Sequence, residues 1–225
     1  MSATANSIST TVLKSVPMFA AFREDQLQSL ATVITRRSAP RGSMIMAEGG
    51  RVDSLYIVIS GRLKVMMGEA DGKEVILSIL GPGEMFGEMG LIDENPRSAT
   101  VLAIEPCELL AVTRQAFNKF LAENTEMAMT VIRVLVRRLR AADRKIGSLA
   151  MLDVYGRVAR LLLDMSEEVN GQRVVAKRLP KQDIAKMIGA SREMVSMVMK
   201  DLEMNGYFEV RGSTIVLRDT IPPPH

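Results

Sequence analysis

Two short segments of the chain combine residue types that can hold a phosphorylated ligand. The turn Phe86-Gly-Glu-Met-Gly-Leu91 is followed, after five residues, by Arg97-Ser-Ala-Thr100. A glycine-flanked turn can present backbone N–H groups to an anion, and Gly87 would let a ligand approach the backbone closely. Arg97 could pair with a phosphate, and Glu88 could accept a hydrogen bond from a ribose hydroxyl. A purely structural, buried ion pair between Arg97 and Glu88 is the alternative interpretation.

A second segment has the pattern of two short helices joined by a tight turn. Pro180 can begin a short helix over residues 181–188, because its fixed φ suits the first turn of a helix. Gly189-Ala-Ser191 then interrupts that helix, and Ser191 can cap a second helix that extends to about Met204. Two short helices joined by a glycine-containing turn are typical of a helix-turn-helix.

The second of these helices separates into two faces at helical spacing, with Val195, Val198 and Leu202 on the inner face. We expect the residues that contact DNA to be Ser191, Arg192, Glu193, Ser196, Met197 and Lys200. An arginine can donate two hydrogen bonds to guanine, and a glutamate can accept one from cytosine N4. Lys200 is better placed to meet a phosphate. A charged face that contacts only solvent is the alternative.

The composition limits the classes of function. Cys107 is the only cysteine, and the only histidine is His225. A disulfide within the chain, a protein-bound iron–sulfur cluster and a histidine-based metal site or triad therefore have almost nothing to be built from, so we expect neither an enzyme nor a metal protein. The net charge of +3 is mild. No apolar run approaches the ~18 residues of a membrane helix and no signal-peptide pattern is present, so we expect a cytoplasmic protein without membrane contact.

Short β-prone runs alternate with glycine-rich turns between about Ser38 and Val112. The runs cover residues 54–60, 62–67, 74–80, 98–103 and 107–112, with turn patterns at Asp71-Gly72 and Gly81-Pro-Gly83. Many short strands at this spacing favour a barrel or roll of antiparallel strands. Apolar residues at helical spacing between Phe19 and Ile34 predict a helix before this roll.

After Thr113 the apolar period becomes helical, with spacings that alternate between four and three residues. The positions are Ala128, Ile132, Leu135, Leu139, Ala142, Ile146 and Leu149. This pattern is typical of a two-stranded coiled coil, so we predict a dimer interface at Ile132, Leu135, Leu139, Ala142, Ile146 and Leu149. A second apolar stripe at Met127, Val131 and Val134 could cover the strand roll. A helix that packs only on its own domain is the alternative.

These elements predict an α+β protein with three parts. Residues 1–116 form an antiparallel β-roll with an N-terminal helix, residues 117–150 form a long dimerisation helix, and residues 151–225 form a winged helix-turn-helix. Met151-Leu-Asp153 is the expected hinge, and the hairpin pattern of residues 207–217 is the expected wing.

Three motifs occur in order along the chain: Gly87-Glu88…Arg97-Ser98, Leu149-Ala-Met-Leu-Asp153-Val and Gly189-Ala-Ser-Arg-Glu193. With them, the segment from about residue 18 to 218 resembles the cyclic-AMP receptor and fumarate–nitrate regulator superfamily of bacterial transcription regulators. The resemblance implies a homodimer that binds a palindromic operator in double-stranded DNA and contacts RNA polymerase. It also implies a cyclic nucleotide-binding roll with ligand contacts from Gly87, Glu88, Arg97 and Ser98, to which we add Met89 of the same turn, and base contacts from Arg192 and Glu193.

Two positions depart from the resemblance. The cyclic-AMP receptors meet adenine with a Thr-Ser pair on the long helix, and the matching residues here are Ala142 and Asp143. Ionised Asp143 only accepts hydrogen bonds, and guanine offers two adjacent donors where adenine offers its 6-amino group. The ligand set therefore includes Ala142 and Asp143, with cyclic AMP or cyclic di-GMP as the effector. An Asp143 that faces only solvent or the partner chain is the alternative.

The second departure is Met197, where close relatives carry an arginine that reads a base. Methionine can make only apolar contact, for example with a thymine methyl group, so we expect a half-site that is relaxed or altered at one step. The rival to a nucleotide-controlled regulator is a nucleotide-independent or redox-type member of the same superfamily that binds DNA constitutively. A nucleotide-hydrolysing enzyme is a third interpretation, which no nucleophile–base pair or paired carboxylates support.

Overall fold

A computed structural model of the protein describes residues 8–14, 16–20, 22–68 and 72–218. The expected turn residue Asp71 and the single histidine His225 lie outside the described residues. The chain divides into two compact units that meet within one helix, between Leu135 and Val136. This division leaves the three predicted domain boundaries a prediction.

The helices are α1 (Thr10–Lys14), α2 (Glu24–Ala31), α3 (Met89–Ile92), α4 (Arg114–Glu123), α5 (Thr125–Met151), α6 (Val154–Met165), α7 (Lys181–Ile188) and α8 (Arg192–Met204), with a 3₁₀ turn at Pro17–Phe19. The strands are β1 (Ile34–Ala39), β2 (Met44–Met46), β3 (Ser54–Ser60), β4 (Leu63–Gly68), β5 (Glu74–Leu80), β6 (Met85–Phe86), β7 (Thr100–Ala103), β8 (Cys107–Thr113), β9 (Glu167–Val169), β10 (Gln172–Val175), β11 (Phe208–Arg211) and β12 (Thr214–Leu217).

Two four-stranded antiparallel sheets build the roll of the first unit, in the orders β1-β8-β3-β6 and β2-β7-β4-β5. The predicted antiparallel roll is therefore confirmed. Strand β3 lies inside its sheet, and its two faces belong to two different cores. Tyr56 and Val58 pack between the sheets, and Leu55 and Ile57 pack on the helices. A nearly continuous apolar run is the pattern expected of a strand buried on both faces.

The helical side of the first unit holds the larger core, which joins α2, α4 and the start of α5 to the outer face of β3 and β8. Met127 and Val131 of α5 are buried in this core, and Val134 packs against it. The prediction that a second apolar stripe of the long helix covers the roll is confirmed.

Two predicted helices begin or end elsewhere. The helix expected between Phe19 and Ile34 spans Glu24–Ala31, because Ile34 begins β1 and pairs with Val112. The continuous helix expected over residues 117–150 is two helices, α4 and α5. Asn124 separates them with φ −135° and ψ 94°, which is extended backbone that ends α4.

Most of the predicted dimer seam of α5 faces outward in the single chain. Ile132, Leu139, Ile146 and Leu149 are between 47% and 65% exposed. Ala142 is also exposed, whereas Leu135 is half-buried against the core of its own unit. Such a row of exposed apolar residues fits the predicted dimer interface, which stays a prediction.

The second unit contains helices α6, α7 and α8 and an antiparallel sheet in the order β11-β12-β10-β9. Helix α5 ends at Met151, and α6 begins at Val154. Asp153 caps α6, because its carboxylate accepts a hydrogen bond from the Gly156 N–H at 2.8 Å. The expected hinge therefore coincides with a break between two helices. No helix among the described residues is long and apolar enough to cross a membrane.

Candidate ligand-binding and DNA-binding sites

Gly87 directly follows β6 with φ +80°, a backbone conformation that favours glycine. A Cβ atom at this position would lie 2.6 Å from Arg97 Nη1 and 2.8 Å from Met46 Cε. The backbone of the turn therefore lies directly against the arginine predicted to bind phosphate. Any side chain at position 87 would collide with Arg97 and push the turn away from it.

The Arg97 guanidinium is buried and donates to three backbone carbonyls; the residue is 5% exposed. Nη1 donates to Gly87 O at 2.8 Å, Nη2 to Ser54 O at 2.6 Å and Nε to Arg51 O at 3.3 Å. Nη2 also lies 3.6 Å from a carboxylate oxygen of Asp53. Burial lowers the pKa of Arg97 from its ordinary value, but an arginine stays charged at neutral pH. Because a guanidinium has five N–H groups, three carbonyls do not use all of its donors.

The predicted ligand contacts of the roll, which we call the cassette, are Gly87, Glu88, Met89, Arg97 and Ser98, and they differ in burial. The Glu88 side chain is fully buried, and Ser98 and Met89 are exposed, with Ser98 Oγ 3.8 Å from Met89 Sδ. The structure thus places a buried carboxylate, a buried guanidinium and an exposed hydroxyl on adjoining segments. This donor and acceptor set fits a ligand that carries both a phosphate and a hydroxyl group. Arg97 also has a structural role, because its guanidinium holds three backbone carbonyls in place.

Sequence reasoning missed the segment on the other side of Arg97. Asp53 is 83% exposed at its side chain, and its carboxylate accepts a hydrogen bond from Ser54 Oγ at 2.8 Å. Ser54 Oγ in turn lies 3.3 Å from the Tyr56 hydroxyl, and the Tyr56 ring stacks on Phe86 with 5.4 Å between ring centroids. These contacts fix the start of β3 against β6. The segment contacts the Arg97 guanidinium through the backbone carbonyls of Arg51 and Ser54. Because every residue carries such a carbonyl, the residue types in the sequence could not have revealed this contact.

The remaining two predicted ligand contacts lie on α5. Ala142 and Asp143 belong to the second unit, and both are exposed. Their contact with a ligand stays a prediction. Among the residues that the structure describes, no cluster of three or more Asp, Glu, His or Cys side chains could hold a metal ion.

The second unit contains the predicted helix-turn-helix. Gly189 ends α7 in the left-handed conformation, with φ 64° and ψ 48°, and the Ile188 carbonyl accepts a hydrogen bond from Arg157 Nη1 at 2.8 Å. Ser191 then caps α8, because its Oγ accepts from the Met194 N–H at 3.1 Å. Strands β11 and β12 follow as a hairpin, which forms the wing.

The two faces of α8 separate as predicted. Val195, Val198 and Leu202 are buried. The exposed predicted DNA contacts are Ser191, Arg192, Glu193, Met197 and Lys200. Ser196 is half-buried instead, and its hydroxyl accepts a hydrogen bond from Lys181 Nζ at 2.8 Å.

This contact adds a basic residue that sequence reasoning missed. Lys181 begins α7, and together with Arg178, Gln182 and Arg192 it lines an open groove beside the start of α8. The three cations at this groove suit the phosphate backbone of a nucleic acid. A run of cations near a helix start is a pattern that a sequence search could have used.

A two-sheet roll, a long helix and a winged helix-turn-helix together are the architecture of a class of DNA-binding transcription regulators. Residues 36–124 match the family model of the cyclic nucleotide-binding domain, and residues 156–220 match that of the Crp-like helix-turn-helix domain. With the relatives described next, these matches show that the chain belongs to the cyclic-AMP receptor and fumarate–nitrate regulator superfamily.

Similar proteins include regulators that respond to different nucleotides. The CRP-like cAMP-activated global transcriptional regulator of Mycobacterium tuberculosis is 35% identical over 80% of this chain and 83% of that protein. The cAMP-activated global transcriptional regulator Vfr of Pseudomonas aeruginosa is 35% identical over 86% of this chain and 94% of that protein. The c-di-GMP responsive global regulator CLP of Xanthomonas campestris superposes with a TM-score of 0.71 and 30% identity, over 88% of this chain and 100% of that chain.

Proposed function

We propose that this protein is a cytoplasmic homodimer that binds a palindromic operator in DNA and is controlled by a cyclic nucleotide bound at the Gly87–Arg97 cassette. The observation that carries the proposal is the buried Arg97 guanidinium, which lies against the Gly87 turn and keeps N–H groups beyond those given to carbonyls. A ligand phosphate could accept from these remaining N–H groups and would add an anionic partner for the buried charge. RNA polymerase is the further partner that family membership suggests.

Each residue of the cassette has a proposed task when the ligand is bound. Arg97 and Ser98 hold the phosphate, and the buried carboxylate of Glu88 accepts from the ribose hydroxyl. The cyclic nucleotide supplies the negative charge that this set attracts. Differential affinity of the ligand for two states of the dimer then changes the affinity for DNA, typically by 1–3 kcal/mol of coupling.

The test of the proposal is DNA binding at fixed salt with and without cyclic AMP and cyclic di-GMP. A nucleotide-controlled regulator changes its operator affinity by about 5–150-fold when the correct nucleotide is added. Equal affinity in all three conditions, together with no nucleotide binding by calorimetry, contradicts the proposal and supports a constitutive, nucleotide-independent regulator.

Asp143 is the residue proposed to favour guanine. We expect Asp143→Asn to weaken cyclic di-GMP binding by about 10–100-fold, because the amide replaces one of two carboxylate acceptors and removes the charge. Isothermal titration calorimetry measures the change. Glu126→Gln, which neutralises an exposed acid near the other end of α5, is the matched control and should leave the affinity unchanged. Tight cyclic-AMP binding by the parent protein with no guanine-nucleotide binding would refute this assignment.

Arg192 is the residue proposed to read a guanine. We expect Arg192→Ala to lose about 1–3 kcal/mol of discrimination per half-site and to relax the preference for one base pair. Lys200→Ala is the contrasting variant, since loss of a phosphate contact weakens all duplexes alike and lowers the salt slope by about one. Competition binding to operator variants at several salt concentrations separates the two. An Arg192→Ala protein that discriminates like the parent shows that α8 does not read this base through Arg192.

A further inference from the structure

Two arginines hold the five consecutive carbonyls of residues 50–54. Arg97 takes three of them: its backbone N–H donates to Gly50 O at 3.1 Å, and its side chain donates to Arg51 O and Ser54 O. Arg114 takes the other two, since its backbone N–H donates to Asp53 O at 2.9 Å and its Nη2 donates to Val52 O at 3.0 Å. The segment 50–54 is therefore a bridge between the ligand-binding arginine and a second arginine.

Arg114 also reaches the other half of the cassette. Its Nη2 donates to Gly90 O at 3.4 Å, in the short helix α3 that follows Glu88. Gly90 packs so closely on the bridge that a Cβ there would lie 2.6 Å from Val52 Cγ2 and 2.5 Å from Asn95 O. The Arg114 side chain therefore joins two segments that lie directly against each other.

Arg114 is the first residue of α4, which Thr113 caps by accepting from the Ala116 N–H. Phe117 and Phe120 of α4 are buried in the same core as Met127 and Val131 of α5. Because a packed core transmits displacement rather than absorbing it, movement at the start of α4 reaches the start of α5.

The geometry points to Arg114 as a positioning residue that transmits ligand occupancy from the Arg97 cassette to α4 and α5. This inference rests on the proposed function. A phosphate that binds Arg97 takes donors that now face the Asp53 carboxylate, at 3.6 Å from Nη2, and so alters how Arg97 holds the bridge. The carbonyls of Val52 and Asp53 then change position relative to Gly90, and Arg114 follows them.

The chain offers a matched control for this role. Arg51 lies inside the bridge and contributes its carbonyl, whereas its side chain is exposed. Arg51→Gln removes one positive charge from the same segment and leaves the five carbonyl contacts in place. Arg114→Gln removes one positive charge together with the side-chain contacts to Val52 O and Gly90 O.

The experiment measures the operator affinity of full-length parent, Arg114→Gln and Arg51→Gln proteins with and without saturating cyclic AMP or cyclic di-GMP. We expect the ratio of the two affinities to fall by about tenfold in Arg114→Gln and to stay at the parental value in Arg51→Gln, within the range of coupling known for such switches. Calorimetry shows in parallel that Arg114→Gln still binds the nucleotide, which separates coupling from binding.

A parental ratio in Arg114→Gln overturns the inference, and so does an equal fall in Arg51→Gln, which would make the effect one of charge alone. If Arg114→Gln loses its cooperative thermal transition, Arg114→Lys gives the same test, because it keeps the charge but not the paired contacts to two carbonyls. A parent protein whose DNA affinity does not respond to either nucleotide refutes the proposed function instead, and it does so before any variant is compared.

Discussion

Leu139→Asp is expected to convert the protein into a monomer at micromolar concentration. Leu139 is 63% exposed in the single chain and lies in the apolar row of α5. In a paired α5 the substitution removes an apolar contact worth about 1.5–3 kcal/mol on each chain. It also places two carboxylates in an apolar seam. We expect the dimer dissociation constant to rise by about a thousandfold or more, which corresponds to ~4 kcal/mol.

Analytical ultracentrifugation measures this constant, and Arg140→Asp is the control because Arg140 is exposed on the same helix outside the apolar row. Operator binding should weaken with dimer loss, since two recognition helices must meet half-sites about 34 Å apart. A Leu139→Asp protein that remains dimeric would show that α5 is not the dimer interface and that its exposed row has another partner.

Arg97→Gln is expected to lose at least about 100-fold in nucleotide affinity and to lower the melting temperature of the first unit by several degrees. The nucleotide loses its charged partner, and a glutamine amide cannot replace the donors to Gly87 O, Ser54 O and Arg51 O. Calorimetry and thermal unfolding measure the two effects separately.

Arg62→Gln is the control for this variant. Arg62 is a partly buried arginine of the same roll, paired with Glu105 at 3.3 Å and outside the cassette. Its loss should change stability and leave nucleotide binding intact. Parental nucleotide affinity in Arg97→Gln would exclude the cassette as the binding site, whatever happens to the melting temperature.

Two strands were predicted with the correct bounds. Ser54–Ser60 and Glu74–Leu80 have the predicted bounds, because apolar runs between glycine turns leave little freedom of assignment. The start of α5 was predicted wrongly, since the residues around Asn124 are compatible with helix and only the extended backbone at Asn124 separates α4 from α5. Helical period alone does not reveal such a break.

The ligand contacts proposed from the sequence stay a prediction. Gly87 and Arg97 were singled out as separate ligand contacts, and the structure adds that Arg97 Nη1 lies 2.8 Å from Gly87 O. Arg114 could not be foreseen, because it binds the carbonyls of Val52 and Gly90, which any residue carries. Ser196 was placed on the outer face of α8, but it is half-buried at the border of the two faces, where Lys181 donates to its hydroxyl.

The boundary between the two units falls inside α5, an uninterrupted helix of 27 residues. At about 1.5 Å per residue such a helix is ~40 Å long, and its backbone hydrogen bonds close every turn. A protease that needs an extended substrate therefore finds no cleavage point at Leu135–Val136. On the C-terminal side of that boundary, the first break in the helix is the two-residue gap between Met151 and Val154. Limited digestion should release an N-terminal fragment that carries all of α5.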